Sequence, residues 1–294
     1  MQIISGKFNK IPQCAIALGK FDAIHKGHQK ILDEILKKAK EKNLKTLVFS
    51  FEILKHNFII TKDEKEEIFK NLNIDFLYYQ AFSDEFKNMS AKSFFDMLVS
   101  KFCAKHIVVG DDWHFGKNRE GDVNLLKKLC DENNIGVTII ERLKTDDDVI
   151  SSSKIREYIS LGDIKKANNM LGRNFSLSGV VEDGKHLGKK MGFPTANLRY
   201  DSTKVLPSGG VYHTKVFYNN AYFDAMTNVG VNPTVEDKNI IRIETHIIDF
   251  NKEIYGENIK IEFMDKIRDE VKFSSLNELV LQLEKDKNTI KGKN

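Results

Sequence analysis

A parallel α/β unit followed by a small antiparallel β-barrel with a terminal helix is the fold the sequence predicts, and three observations carry it. The first half alternates short apolar runs with amphipathic helical stretches, the pattern of a parallel sheet with helices on its faces. Beyond Asp146-Asp147-Asp148 this gives way to two short helices and then to β-type runs separated by Gly, Asn and Asp, as in a small barrel. The 294 residues are 41% apolar and 30% charged, enough to bury two cores at about 150 residues per domain.

Taken in order, Ile11 to Leu18 reads as the first strand, and the loop after Gly19 leads into a helix whose Ile31, Leu32, Ile35, Leu36 and Ala39 recur at helical spacing. Leu44 to Phe51 is a buried strand. Thr61-Lys62-Asp63-Glu64 has the pattern of a capping box and opens a helix through Leu72. A strand at Phe76 to Tyr79, a helix from about Ser90 to Phe102, a strand at His106 to Val109, a helix around Val123 to Cys130 and a strand at Val137 to Ile140 complete a five-stranded, Rossmann-like sheet. Short helices around Lys154 to Ile159 and Ile164 to Leu171 end at Gly172, a helix stop that sets the predicted domain boundary at 172/173. Five β-type runs follow, at Ser178 to Val181, Val211 to Tyr218, Ala221 to Val229, Ile240 to Ile248 and Ile259 to Phe263. Leu276, Leu279, Val280 and Leu283 form the stripe of a last helix, with a Lys-rich tail expected to fray after Asp286.

Composition excludes disorder, collagen and coiled coil. No apolar run reaches the roughly 18 residues of a membrane helix, and the first residues lack a secretory pattern, so the expectation is a cytoplasmic protein. Cys14, Cys103 and Cys130 are far apart and read as buried thiols rather than a disulfide frame. A net charge of +4, evenly mixed, gives no reason to expect nucleic acid but suits anionic small substrates.

The segment Gly19-Lys20-Phe21-Asp22-Ala23-Ile24-His25-Lys26-Gly27-His28 lies between the first strand and first helix, where open α/β sheets bind ligands. His25 and His28 beside a helix N-terminus can donate to a triphosphate, while Gly19 and Gly27 let backbone approach an anion. That arrangement would stabilise charge on a transferred nucleotidyl group and its pyrophosphate leaving group. The alternative is a pair of surface histidines. Ile150-Ser151-Ser152-Ser153-Lys154-Ile155-Arg156 brings hydroxyls, free amides and a guanidinium to another helix start, which is either a phosphate receptor or a capped helix with a solvated arginine. Gly110 to Gly121 is an aromatic and charged loop after a buried strand, and reads as functional or simply packed.

In the second half, Gly179 to His186 imitates a P-loop but ends in His and lies among strands, so a Walker site is rejected, although a glycine turn with Lys185 can still cover phosphates. Thr195 and Asn197, two residues apart on an extended segment, point the same way and can ligate Mg²⁺ together with ATP oxygens, or merely cap a strand. Glu244, in the apolar run Ile243 to Phe250, is either a general base toward a primary alcohol or a surface carboxylate paired with Arg242 or a lysine.

The first three stretches resemble the adenylyltransferase half of the bacterial bifunctional riboflavin kinase/FAD synthetase family. Gly192-Phe193-Pro194-Thr195-Ala196-Asn197, Leu206 to Tyr212, Asn228 to Thr234, Glu244-Thr245-His246 and Ile267-Arg268-Asp269-Glu270-Val271-Lys272-Phe273 resemble landmarks of its kinase half, in order. The resemblance implies a nucleotidyltransferase domain at 1–172 that transfers AMP from ATP to FMN, releasing pyrophosphate, and a kinase domain at 173–294 that phosphorylates riboflavin. It implies ATP as co-substrate, Mg²⁺ for both steps, and riboflavin and FMN as the other ligands; the mixed charge and short apolar runs give no reason to expect nucleic acid or membrane, and no obligate protein partner is evident. By resemblance, the loop holding Gly19, Phe21, Asp22, His25, Gly27 and His28 faces ATP phosphates, as do Ser152, Ser153 and Arg156, and Asp112 serves nucleotide or flavin recognition. Lys185, Gly192 and Pro194 would bind ATP, Thr195 and Asn197 the Mg-ATP, with Glu244 as base and Arg268 in a mobile segment near the flavin. Three departures stand out: Trp113 where Phe is usual, Lys189 where Arg is usual, and Ile53-Leu54-Lys55 where the family typically reads Pro-His-Pro. The last leaves a second reading, a riboflavin kinase whose first domain adenylylates poorly; a flavin- or RNA-binding regulator is a third.

Overall fold

A computed structural model describes residues 1–4, 11–52, 57–145, 148–184, 188, 191–231 and 241–292. The chain divides into two compact units, Met1–Ser152 and Ser153–Asn294.

In the first unit the strands are β1 (Gln2–Ile4), β2 (Cys14–Gly19), β3 (Lys45–Phe51), β4 (Phe76–Gln80), β5 (Ala104–Gly110) and β6 (Gly136–Ile140). They form one parallel sheet in the order β1-β4-β3-β2-β5-β6. The helices are α1 (Lys26–Lys42), α2 (Lys62–Asn71), the single turn α3 (Asp84–Lys87), α4 (Ala91–Ser100) and α5 (Val123–Glu132). The central strands are largely buried, β2 from Cys14 to Leu18 and β3 from Thr46 to Phe51, because helices cover both faces. The expected α/β sheet is present with one strand more than the five expected. β1 was missed because three residues carry no readable period, and the first long strand starts at Cys14 rather than Ile11. The capping box is realised: Thr61 Oγ1 accepts from Glu64 N at 3.2 Å and Glu64 Oε2 from Thr61 N at 2.8 Å. All three cysteines are buried and free, and the Cys14 thiol donates to Phe102 O at 2.9 Å.

The chain runs outward from β2 to β3 and β4, then returns to β2's other side with β5. The strand order therefore reverses between β2 and β5, and the loops after these two strands flank the crevice where open α/β sheets place ligands.

The second unit holds α6 (Ser152–Leu161), α7 (Ile164–Leu171) and a closed barrel of β7 (Phe175–Glu182), β8 (Ala196–Tyr200), β9 (Gly210–Tyr218), β10 (Ala221–Val231), β11 (Ile241–Ile247) and β12 (Asn258–Arg268), followed by α8 (Leu276–Lys291). The ring order is β10-β11-β8-β7-β12-β9, with every pairing antiparallel. The helix α7 packs on the barrel because Asn168 donates to Phe263 O at 2.8 Å and accepts from Phe175 N at 2.7 Å. Contacts thus place α6 and α7 with the barrel, where the sequence put the boundary after α7.

Inside the barrel, Thr214, Thr227 and Thr245 form a buried hydroxyl ladder, with Oγ1 separations of 2.7 and 2.9 Å, among Val216, Val229 and Phe263. The outer wall is covered where α8 brings Ile290 onto Phe193, Val211, Met226 and Ile248. This corrects the expected fraying after Asp286. The helix runs on to Lys291 because Asp286 and Ile290 are both buried, at 2% and 0% exposure. No helix among the described residues is long and apolar enough to cross a membrane.

Candidate active sites

In the first unit the segment from Phe21 to His25 is buried although it is a loop. Two of its non-glycine residues, Phe21 (φ 48°) and Ile24 (φ 43°), occupy the left-handed region. For a β-branched residue such as Ile24 that conformation is strained and persists only where surrounding contacts hold it. His25 caps α1: its Nδ1 accepts from His28 N at 3.3 Å. Because Nδ1 must carry a lone pair to do so, a neutral His25 ring carries its proton on Nε2. The two imidazoles stack at 3.8 Å and 17°, and His28 also meets the Phe21 ring at 5.0 Å. Gly27 permits this stack, since a Cβ there would lie 3.2 Å from the His25 ring. A Cβ at Gly19 would meet the Phe21 ring at 3.0 Å. Gly19, Phe21, Asp22, His25, Gly27 and His28 are thus brought into one compact turn at the helix N-terminus.

Asp112 is exposed after β5, and its Oδ1 packs 3.0 Å from where a Gly110 Cβ would stand. The loop it opens is held by its own contacts. Phe115 is buried and pairs by backbone with Gly121, and Glu120 Oε1 accepts from Ala91 N, the first residue of α4, at 2.7 Å. Trp113 meets Phe51 at 5.8 Å. Ser152 opens α6, with Ser153 and Arg156 in its first turns. Residues 53–55 lie outside the described residues, as do Lys185, Lys189 and 232–234.

In the second unit, strand register assembles the site. Around the barrel wall Glu182, Asn197, Glu244, Asn228, Val211 and Arg268 are consecutive cross-strand partners on β7, β8, β11, β10, β9 and β12. Partners opposite each other share a face, and this belt faces outward: Ile243 and Thr245, flanking Glu244, are the buried inward residues. Glu244 is half-buried and makes no ion pair among the described residues, so the pairing with Arg242 is absent. Asn228, its other neighbour, was not singled out as a site residue, because strand pairing cannot be read from either segment alone.

Beside this belt a glycine turn closes over Thr195 and Asn197. A Cβ at Gly184 would fall 2.1 Å from Asn197 Nδ2, and one at Gly188 would fall 2.2 Å from Phe193 O and 3.5 Å from Thr195 Oγ1. Backbone can approach there because side chains are missing. Gly192 takes φ +80° in the turn, where Phe193 N donates to Gly188 O at 2.9 Å. The next carbonyl, Pro194 O, accepts from His246 Nδ1 at 2.9 Å. Burial holds the His246 pKa below the usual imidazole value, so the ring stays neutral with its proton on Nδ1. His246 therefore fixes the residue before Thr195.

Arg268 is on the belt, but its guanidinium turns to α8. Nε and Nη2 both lie 2.9 Å from Asp286 Oδ2, and Gln282 Nε2 donates to Oδ1 at 2.8 Å. Glu270 puts its carboxylate against Gly209 and Gly230, where added Cβ atoms would fall 2.8 and 2.0 Å away.

Both units match known families over nearly their full lengths. Residues 7–154 match the FAD synthetase family and residues 171–293 the riboflavin kinase family. The chain belongs to the bifunctional riboflavin kinase/FMN adenylyltransferase family. It is 34% identical to the family member of Listeria monocytogenes over 92% of this chain and 89% of that one. It is 32% identical to that of Escherichia coli K12 over 98% and 96%. A solved structure from Streptococcus pneumoniae, named a macrolide-efflux protein, has a TM-score of 0.89 at 32% identity and covers 96% of this chain and 95% of that one. Family membership spans both the histidine loop and the barrel belt.

Proposed function

We propose that this chain phosphorylates riboflavin to FMN on the barrel wall and transfers AMP from ATP to FMN in the sheet unit, giving FAD and pyrophosphate. The presence of both family halves, each with its cluster of polar groups, carries the reading. In the kinase step Glu244 takes the proton of the terminal ribityl hydroxyl as that oxygen attacks the γ-phosphorus, and ADP leaves. Asn197 stands opposite Glu244 in register, so the base and the ATP-holding oxygens share one face.

Thr195 Oγ1 and Asn197 Oδ1 are hard oxygen donors under a glycine cradle, a donor set that fits Mg²⁺ with ATP oxygens and water completing the shell. The ion would offset phosphate charge. Pro194 and Gly192 set the turn that presents Thr195, and Lys185, outside the described residues, is read as an ATP-binding lysine from its sequence alone. Glu270 and Arg268 border the flavin end.

In the adenylyl step an FMN phosphate oxygen attacks the α-phosphorus of ATP. His25 Nε2–H and His28 donate to phosphate oxygens, at a helix N-terminus that itself favours the anion. Ser152, Ser153 and Arg156 serve the phosphates and Asp112 the nucleotide or flavin. Both steps draw on ATP, and riboflavin, FMN and ATP as ligands of a cytoplasmic enzyme complete this reading.

One sequence feature favours the second reading: Ile53-Leu54-Lys55 replaces the Pro-His-Pro that the family typically carries. Incubation with riboflavin and Mg-ATP, followed by chromatography of the flavins, decides. FAD accumulating after FMN supports the bifunctional reading, FMN alone supports a kinase with a weak first domain, and neither product refutes both.

A further inference from the structure

The helix α2 buries a charge beneath the histidine loop. Lys65 is only 7% exposed, and its Nζ donates to Lys20 O at 3.2 Å. One turn on, Phe69 sets its ring edge-on to Phe21 at 5.8 Å. Residues 65 and 69 share a helix face, the one turned to the core, where periodicity calls for an apolar residue. A buried ammonium is costly unless it makes bonds that matter, and an apolar side chain would fill the same space without that cost.

What Lys65 holds is the first carbonyl beyond the sheet. The β2 ladder ends at the Gly19–Ser50 pair, so Lys20 O has left the regular pairing. Two side chains replace it: Lys65 Nζ, and Ser50 Oγ from β3, fully buried and also 3.2 Å away. Immediately downstream come the two left-handed residues and the cap at His25. The ammonium faces the negative charge of Asp22 in the loop and of Glu66 on its own helix, and lies 5.9 Å from the Tyr79 ring of β4. Desolvation outweighs these charges and lowers its pKa.

We infer that Lys65 is a positioning residue for adenylyl transfer: with Ser50 it clamps the Lys20 carbonyl and thereby fixes the strained turn that presents His25 and His28. This rests on the reading that those histidines act on ATP phosphates.

The test uses the full chain and the variants Lys65→Met, Lys65→Arg, Ser50→Ala, His28→Ala and the double variant Lys65→Met/His28→Ala. FAD formation from FMN and Mg-ATP is measured for each, with FMN formation from riboflavin as the internal control. Lys65→Met is expected to lower kcat for FAD formation about tenfold, with KM for FMN within about twofold and FMN formation unchanged. Lys65→Arg, which keeps a donor, restores part of the loss. Because residues acting through one turn are not additive, the double variant should fall within about twofold of His28→Ala alone. A parental kcat in Lys65→Met, or losses that multiply in the double variant, overturns the inference while leaving the histidine reading intact. A parental rate in His28→Ala overturns the histidine reading and the inference with it. Should Lys65→Met lose the folded first unit, Ser50→Ala decides: a loss of about threefold supports the clamp and a parental rate refutes it.

Discussion

The two candidate sites are built by different means. In the sheet unit the two histidines proposed to meet ATP come from one turn, Gly19 to His28, hung on the end of one strand and the start of one helix. In the barrel they come from neighbouring strands, with Asn197, Glu244 and Asn228 brought side by side only when β8, β11 and β10 pair. A parallel sheet keeps its strands for the core and exports chemistry to loops at their ends. An antiparallel barrel has an outward face on every strand and can carry chemistry on cross-strand neighbours. The first kind of site depends on a strained turn being held, the second on register.

If the sites are separate in this way, each should fail alone. The largest effect is expected from Glu244→Gln, which should lower FMN formation by about 10²–10⁴, the range of a general base, and leave FAD formation from supplied FMN near the parental rate. Equal loss of both activities would break the comparison. His28→Ala should do the converse, lowering FAD formation by about 10²-fold while riboflavin phosphorylation continues.

A smaller effect separates register from loop. Gly184→Ala places a methyl 2.1 Å from Asn197 Nδ2, which must move away from Glu244's row. We expect kcat/KM for ATP in the kinase assay to fall by about tenfold, without change in FAD formation. An unchanged value would mean the glycine turn does not shape the site.

The smallest effect is on stability and belongs to the sheet unit. Burial, with the Lys42 charge beside it, pushes the His106 pKa down to about 4, and its Nε2 lies 2.8 Å from Thr138 Oγ1. The unfolded chain takes up this proton near pH 6.5 and the folded one only near 4, so stability is intact above 6.5 and declines as pH falls through that window. After discounting for solvent screening the loss is about 1–2 kcal/mol. His106→Asn should flatten the fall in urea midpoint of the first unit between pH 7 and 5, and an unaltered slope would count against it.

How much of this could be read beforehand follows the same division. The turn carrying His25 and His28 was legible because its residues are contiguous, and the capping box at Thr61 because its partners are three apart. The barrel belt was legible only as separate fragments, since nothing in Asn197 or Glu244 states which strand lies opposite. Lys65 was invisible for a related reason: as one lysine among several on α2 it reads as solvated, and only the fold reveals Lys20 O above it. The tail beyond Asp286 was misread because its lysines promise solvent, whereas Arg268 and the wall around Met226 claim its other face.

The bond between Arg268 and Asp286 also bears on synthesis. All six strands of the sheet have emerged by Ile140, whereas the cover of the kinase wall, begun by Val280 and Leu283, is complete only when residues 286–290 leave the ribosome. A premature stop near Lys285 would therefore yield a protein with a sound nucleotidyl half and an unfinished kinase, its apolar flank open to aggregation.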